Sequence, residues 1–289
     1  MTEEEYRAEW LAGKHQTDYN ACRFAEDKVK FARDWAKARM PDVDIDDPKN
    51  IVDRINRYKI YDTDPRKPVW ADKIAVLGEL RDMGLGHIII PPVLTCRGRL
   101  AREDFDSLPD GKYIFKCNHG SGWNMKFEKK PGNDPTYMLG KLEEWCGLDY
   151  AYIGGWEWQY HEIVPGVIVQ PDMGNILLDW QFWCENGEIE YIQLSRKLGK
   201  NYEEYIAFTD DSGTKTDSYI GIRPLRFRLL PREMEVYEKM KPFIKRLASD
   251  FKFVRVDLYY IDGRIYFGEL TFSPCSGKLA LVDTVNTEH

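Results

Sequence analysis

The chain contains several stretches in which apolar residues recur every three or four positions, the spacing of an amphipathic helix. One such stretch carries Phe24, Phe31 and Trp35. Ahead of Ile51, Asp47 is predicted as an N-cap with Pro48 at the first helical position. The predicted helices cover residues 3–40, the stretch that begins at Ile51, 70–84, 136–147 and 231–249.

Other stretches are short and apolar, or alternate between apolar and polar residues, which is typical of strands. Because helices and strands are mixed and many strands form hairpins, the predicted fold class is α+β in two or three lobes. The predicted strands are 87–94, 112–117, 159–169, 178–184 and 188–195, followed by a hairpin within 253–275.

Composition narrows the class of protein. The net charge of −7 argues against nucleic acid as the main partner. The sequence lacks an apolar run of roughly 18 residues, the length that a membrane span needs. Its start, MTEEEYRAEW, lacks the basic-then-apolar order of a secretory signal. The six cysteines are widely spaced without a CxxC pair, which favours reduced thiols. We expect a cytoplasmic protein without a membrane span or nucleic-acid partner; the oligomeric state stays open.

The C-terminal hairpin places two acids, Asp257 and Glu269, among Val, Leu, Tyr and Phe residues. The loop length decides which residues share a face, since side chains alternate along a strand. A three-residue loop, 261–263, makes the two acids diagonal neighbours beside Arg255 and Thr271 and suits Gly263. The predicted acidic face carries Arg255, Asp257, Tyr259, Ile265, Phe267, Glu269 and Thr271.

Two adjacent carboxylates repel each other unless one is protonated or a cation bridges them. Oxygen ligands of this kind suit Mg²⁺, which binds one or two carboxylates together with substrate phosphates. In the alternative interpretation, Asp257 pairs with an arginine and Glu269 caps a turn. The hairpin sequence by itself leaves both interpretations open.

Upstream, Lys116 lies near the end of a predicted strand, before a loop at 118–124 that contains Gly120, Ser121 and Gly122. Glycines let backbone N–H groups approach a phosphate, and a lysine adds a point charge. The loop matches neither the P-loop nor the GxGxxG pattern, so it indicates a phosphate site only in combination with Lys73 and the acids.

The order of these motifs resembles the ATP-grasp superfamily, and within it the TupA-like family associated with teichuronopeptide and surface-polysaccharide biosynthesis. The resembling stretches are DPKNIVDRINRYKIYDTDP (47–65), ADK (71–73), LPDGKYIFKCNHGSGWN (108–124), WEWQY (156–160), LDWQFWCENGEIEYIQLSR (178–196) and FKFVRVDLYYIDGRIYFGELTFSP (251–274).

The resemblance implies an ATP-grasp fold with ATP held between two small α+β lobes. It implies a helical region at 1–66, a small αβ segment at 67–108, a phosphate-loop lobe at 109–172 and a catalytic lobe at 173–289. The implied enzyme is an ATP-dependent ligase that joins a carboxylate to an amine through an acyl phosphate. Its expected role is attaching an amino acid or amine to a uronic-acid-type sugar of a bacterial capsule or surface glycan.

Residue roles follow from the same resemblance. Arg255 and Arg196 would face the transferred phosphoryl group. The ATP-binding residues would be Lys73, Lys116, His119, Gly120, Ser121, Gly122, Gln170 and Asp172. The ligands of Mg²⁺, with two ions expected, would be Asp257, Glu269 and Thr271.

The sequence also departs from the family pattern. Gln170 and Pro171 stand where two glutamates are expected, with Asp172 a candidate ribose contact, and Trp156 and Gln181 replace basic residues. These changes imply an unusual acceptor or a weakened activity. A phosphotransferase, or a non-catalytic nucleotide-binding module, therefore remains an alternative.

Two side chains in the loop have two interpretations each. His119 would contact the γ-phosphate or lie exposed to solvent. Trp123 would stack on a sugar ring or pack in the core, which is the more frequent role of tryptophan.

Overall fold

The computed structural model describes residues 14–174, 178–197, 203–213, 218–220, 225–279 and 281–283. The chain divides into two compact units. One unit, called here the hairpin unit, comprises residues up to Asp62, Gly154–Trp156 and the chain from Asn175 onward. The other, called the loop unit, comprises Thr63–Ile153 and Glu157–Gly174.

The loop unit contains a four-stranded antiparallel sheet in the order β1-β4-β2-β3. One face of this sheet is apolar, and Phe115 and Val169 are buried there in one cluster with Leu142 of the helix α7. Its strands are β1 (Leu94–Arg97), β2 (Gly111–Cys117), β3 (Asn124–Lys129) and β4 (Gly166–Pro171). Its helices are α4 (Lys67–Ala71), α5 (Val76–Asp82), α6 (Arg102–Ser107) and α7 (Thr136–Cys146), with 3₁₀ turns at Gly86–Ile88, Tyr150–Tyr152 and Trp158–Tyr160.

The hairpin unit contains a five-stranded antiparallel sheet in the order β10-β9-β5-β6-β7, and β8 pairs with β11. The helix α8 covers the sheet's apolar face, where Tyr237 stacks on Phe182 with ring centroids 6.0 Å apart. Its strands are β5 (Asp179–Glu185), β6 (Glu188–Lys197), β7 (Glu203–Thr209), β8 (Ser218–Ile220), β9 (Phe253–Ile261), β10 (Arg264–Thr271) and β11 (Leu281–Asp283). Its helices are α1 (Lys14–Phe24), α2 (Lys28–Arg39), α3 (Ile51–Tyr61) and α8 (Pro231–Ala248), with a 3₁₀ turn at Pro274–Gly277.

The mixture of helices and antiparallel strands agrees with the predicted α+β class. The predicted helix at 136–147 and the strands at 112–117 and 178–184 agree with α7, β2 and β5 to within one or two residues. The predicted helix at 231–249 agrees equally well with α8. The strongly periodic segments were therefore the predictable ones.

Five predicted elements are wrong in position. The predicted strand at 159–169 is a 3₁₀ turn and an irregular segment up to Pro165, and the strand β4 begins only at Gly166. The described part of the predicted helix at 3–40 is divided into α1 and α2, because Asp27 caps the start of α2.

The N-cap of α3 is Asn50, whose side chain accepts from Val52 N and Asp53 N, rather than Asp47. The helix at 70–84 is interrupted, because Asp72 turns its carboxylate onto Ile74 N. The stretch 87–94 forms a 3₁₀ turn and an irregular segment, and the strand begins only after its two prolines.

Two further observations concern membrane spans and cysteines. Within the described residues, the helices are too short or too polar to cross a membrane. The six cysteines are free thiols.

A strained turn follows β10, and α3 holds it in place. Cys275, Ser276 and Gly277 have φ values of 51°, 58° and 78°, in the left-handed region. The ammonium of Lys59 donates to Ser276 O at 3.0 Å and to Gly154 O at 2.6 Å. Asn56 Nδ2 donates to Gly277 O at 3.0 Å. These buried donors compensate for the unfavourable backbone of the turn.

We expect Lys59→Met to destabilise the hairpin unit by about 2 kcal/mol, because two buried carbonyl groups lose their donor. Lys59 is only 2% exposed, whereas the matched control Lys252→Met removes an ammonium whose side chain is 65% exposed. Urea unfolding of both variants measures the difference. Equal midpoints for the two variants would contradict the assigned role of Lys59.

Candidate functional site

The hairpin of β9 and β10 turns through two residues. Asp262 and Gly263 have φ values of 49° and 80°, and Ile261 pairs with Arg264. Two successive left-handed residues are typical of a type I′ turn, whose twist matches the flanking strands. The predicted three-residue loop is therefore wrong.

A bulge at Gly268 changes the pairing in the middle of the hairpin. Phe267 pairs with Leu258, but the next pair is Glu269 with Asp257, so Gly268 is the extra residue. Thr271 consequently pairs with Arg255. The prediction that both acids share one face is confirmed, although they are direct partners rather than diagonal neighbours.

The turn and the bulge also correct the predicted faces between them. Ile265 pairs with Tyr260, so it lies on the same face as Phe267 and Leu258, opposite to the acids. Phe267 is buried there, at 6% exposure. The two residues were predicted on the acidic face because a three-residue loop was assumed.

Arg255 occupies the centre of the acidic face. Its Nε and Nη2 donate to the two oxygens of Asp257 at 2.7 and 2.6 Å. Nη2 also lies 3.4 Å from Glu269 Oε1 and 3.2 Å from Thr271 Oγ1. The hydroxyl of Thr271 donates to the same Glu269 oxygen at 3.2 Å. We call these four residues the acidic cluster.

The charged groups of the acidic cluster shift one another's pKa values. The pKa of Asp257 is raised to about 7 as the net result of burial, which raises it most, of Arg255, which lowers it, and of Glu269 and Asp179, which also raise it. Burial lowers the pKa of Arg255, but Asp257 more than reverses this, so the guanidinium stays charged. Two carboxylates therefore lie beside one guanidinium in a largely buried place, where a divalent cation would reduce their mutual repulsion.

The oxygen atoms of the cluster suit a magnesium ion as ligands. They are carboxylate and hydroxyl oxygens, the ligands that Mg²⁺ prefers, with two carboxylates on facing strands. The described part of the chain holds no group of three or more His, Cys, Asp or Glu side chains that could bind a metal together. An ion at Asp257 and Glu269 would thus complete its coordination with water or with a bound substrate.

The neighbouring strand adds two polar side chains, of which sequence reasoning missed Asp179. Asp179 and Gln181 of β5 pair with Tyr259 and Asp257, so both lie on the acidic face. Their two-residue spacing in the sequence LDWQFWCE was the available signal. Asp179 matters electrostatically, since it is one of the groups that raise the pKa of Asp257.

In the loop unit, the sheet face opposite the core collects several predicted ligands. Lys116 Nζ donates to Gln170 Oε1 at 3.1 Å, across β2 and β4. Lys126 of β3 contacts Asp172 Oδ1 at 3.0 Å. Lys126 was missed, although its alternation with Asn124 in NMKFEK places both on this face. Two ammonium groups, an amide and a carboxylate thus share one face.

The loop at 118–124, called here the glycine loop, is hydrogen-bonded to Asp72 and Lys73, which lie between α4 and α5. Lys73 Nζ donates to Gly120 O at 2.7 Å, so the predicted combination of this lysine with the loop exists in the structure. Asn118 Nδ2 donates to Asp72 Oδ1 at 2.8 Å, and Arg97 contacts Asp72 Oδ2 at 2.7 Å. These contacts fix the entry of the loop.

His119 and Trp123 have structural roles in the loop unit. His119 is 2% exposed, and its Nε2 lies 3.2 Å from both Trp145 O and Leu148 O. Burial lowers its pKa. Trp123 is buried and stacks on Trp145. The expectation of an exposed histidine is wrong, whereas a role of His119 in ATP binding stays a prediction. Sugar stacking by Trp123 is excluded by its burial.

The remaining predicted site residues are Ser121, Gly122 and Arg196. Ser121 and Gly122 are exposed, and Gly122 has a φ of 74° that suits glycine. The backbone of Arg196 pairs with Glu204 in β6 and β7, but its side chain lies outside the described residues. Roles in ATP binding or catalysis for these residues stay predictions.

We expect Gly120→Ala to destabilise the loop unit by about 1–3 kcal/mol, because a Cβ atom overpacks a filled site. It would lie 2.7 Å from Tyr150 and 2.8 Å from Trp123. The control Gly140→Ala in α7 has open space within 4 Å and should stabilise by about 0.5–1 kcal/mol. Urea unfolding followed by tryptophan fluorescence compares them; equal effects would contradict this account.

We expect the stability of the wild type to fall relative to Asp257→Asn as the pH rises from about 4 to about 7. The folded-state pKa of about 7 exceeds the ordinary value near 3.9, so the folded protein binds an additional proton in this window. Stability from that proton is complete below about pH 4 and is lost through about pH 7, by roughly 2–4 kcal/mol.

Unfolding free energies of both proteins across this pH range measure the effect. The control Asp262→Asn removes an exposed carboxylate from the same hairpin. Parallel curves for the wild type and Asp257→Asn would show that Asp257 titrates normally.

Solved structures with a related fold are distant. D-alanine–D-alanine ligase from Bacillus anthracis is 16% identical with a TM-score of 0.44, over 71% of this chain and 57% of that chain. L-amino acid ligase from Bacillus licheniformis is 11% identical with a TM-score of 0.46, over 85% and 55%. This chain thus spans little more than half of those proteins, and these similarities carry no inference about activity.

No curated protein sequence matches the chain. A family model described as TupA-like ATP-grasp does match it, over residues 53–286, which is most of the chain. The match includes the glycine loop, Lys73 and the whole acidic cluster, so it confirms the resemblance noted from the motifs and, with it, the α+β ATP-grasp fold. The chain therefore belongs to the TupA-like ATP-grasp family.

Proposed function

We propose that the protein is an ATP-dependent carboxylate–amine ligase that forms an amide through an acyl phosphate and releases ADP. The observation that carries this proposal is the acidic cluster, in which Asp257 and Glu269 face each other in a chain of the ATP-grasp family. Two carboxylates in that arrangement suit the binding of Mg²⁺ together with a nucleotide.

Each group of residues has a proposed part in this reaction. Asp257, Glu269 and Thr271 would hold Mg²⁺, which neutralises charge on the phosphates. Lys116 and Lys73 would contact the phosphates as point charges. Positioning and charge neutralisation are sufficient for phosphoryl transfer to a carboxylate, so no covalent catalyst on the protein is required.

The proposed substrates are a sugar carboxylate of the uronic-acid type and an amino acid or other amine. The product would be an amide-modified sugar for a capsule or another cell-surface polysaccharide, made in the cytoplasm. This assignment rests on the family's association with surface polysaccharides.

We expect calorimetric titration to show ATP binding that requires Mg²⁺ in the wild type and is lost in the double variant Asp257→Asn/Glu269→Gln. Removing both carboxylates removes the charged ligands of the ion. The matched control, Asp262→Asn/Glu188→Gln, removes two exposed carboxylates from turns of the same unit and should bind as the wild type does.

A screen of uronic acids and amines then measures ADP release and product mass. An amide product supports the ligase. ADP together with a stable phosphorylated acid, without an amine, would instead indicate a phosphotransferase. Nucleotide binding that persists in the double variant, with no turnover in either protein, would indicate a non-catalytic module.

A further inference from the structure

One guanidinium contacts each of the three residues predicted to bind the metal. Arg255 Nη2 lies 2.6 Å from Asp257 Oδ2, 3.4 Å from Glu269 Oε1 and 3.2 Å from Thr271 Oγ1. Its Nε takes the other oxygen of Asp257 at 2.7 Å. Arg255 therefore already satisfies the oxygens that a divalent cation would use.

The two cations cannot use these oxygens at the same time. A magnesium ion lies about 2.1 Å from each oxygen ligand. An ion held by Asp257 and Glu269 would use carboxylate oxygens that Nη2 now contacts. The ion and the guanidinium of Arg255, if both contacted these oxygens, would also repel each other strongly in a buried place. Binding of the ion consequently requires the guanidinium to move.

The burial of the cluster strengthens the competition between the two cations. A divalent ion brings twice the charge of the guanidinium to the same two carboxylates. The side chains of Arg255 and Asp257 are only 12% and 10% exposed, so charges interact more strongly there than in water. Glu269 is 30% exposed, which gives an ion a route to the cluster from solvent.

We propose that Arg255 is the resting counter-cation of Asp257 and Glu269, and that a divalent cation displaces it and frees the guanidinium for an anionic group of the substrate. This inference rests on the proposed metal site. It gives Arg255 two successive partners, the carboxylates before the ion binds and a phosphate-like anion afterwards. The guanidinium would become available only when the metal is in place.

The first test measures Mn²⁺ binding to the nucleotide-free protein by electron paramagnetic resonance. Arg255→Gln should bind Mn²⁺ about tenfold more tightly than the wild type, because the competing charge is gone. Arg255→Lys keeps a positive charge and should restore the weaker binding. The matched control Arg264→Gln removes an exposed arginine of the same hairpin and should leave Mn²⁺ affinity unchanged.

The second test uses the wild type alone, so it does not depend on whether the variants fold. Phenylglyoxal modifies accessible arginines, and peptide mass spectrometry locates the modified residue. Modification of Arg255 should be slow without metal and several-fold faster with saturating Mn²⁺. The exposed Arg264 is an internal reference whose rate should not change.

The outcomes separate this inference from the proposed function. The exchange is overturned if Arg255→Gln binds Mn²⁺ as tightly as the wild type or more weakly. It is also overturned if the modification rate of Arg255 does not change with Mn²⁺. Either result leaves the proposed metal site intact. Absence of Mn²⁺ binding in the wild type and in each variant overturns the metal site, and the exchange with it.

Discussion

The acidic face depends on one backbone irregularity, the bulge at Gly268. In a regular hairpin with the observed two-residue turn, Glu269 would pair with Val256, which is fully buried. Burying a carboxylate among apolar side chains costs several kcal/mol. The bulge moves Glu269 to the other face instead. A Cβ atom at position 268 would lie 2.9 Å from Asp257 O and 3.1 Å from the Tyr259 ring, so only glycine fits.

The bulge has an electrostatic consequence that ordinary folding stability does not favour. It brings two carboxylates together beside Arg255, and like charges that lie this close repel each other. A chain selected for stability alone would separate the acids. A local arrangement that is unfavourable for stability is what functional sites often show, and here the unfavourable term is a repulsion that a bound cation would reduce.

The sequence predicted the shared face of the acids but for an incorrect reason. Segregating the charges required a register shift of one residue, and a longer loop was one of two ways to produce it. A glycine inside a strand pattern is a signal for a bulge, so Gly268 was the evidence for the other way. The two-residue turn was also visible, because Asp-Gly between alternating strands favours a type I′ turn.

The predictions that failed in the loop unit did so because they depend on contacts between distant segments. Nothing near His119 in the sequence shows that carbonyl groups of Trp145 and Leu148 will surround its ring. The N-cap of α3 was misplaced for a local reason, since Asp47 and Asn50 are both good caps. The buried Asp53 decides between them, because its carboxylate accepts from Asp44 N and Lys49 N and so shapes the segment ahead of Asn50. Local pattern thus located β2, β5, β6, the C-terminal hairpin and the acidic face, whereas burial and the choice between equivalent residues were set by tertiary packing.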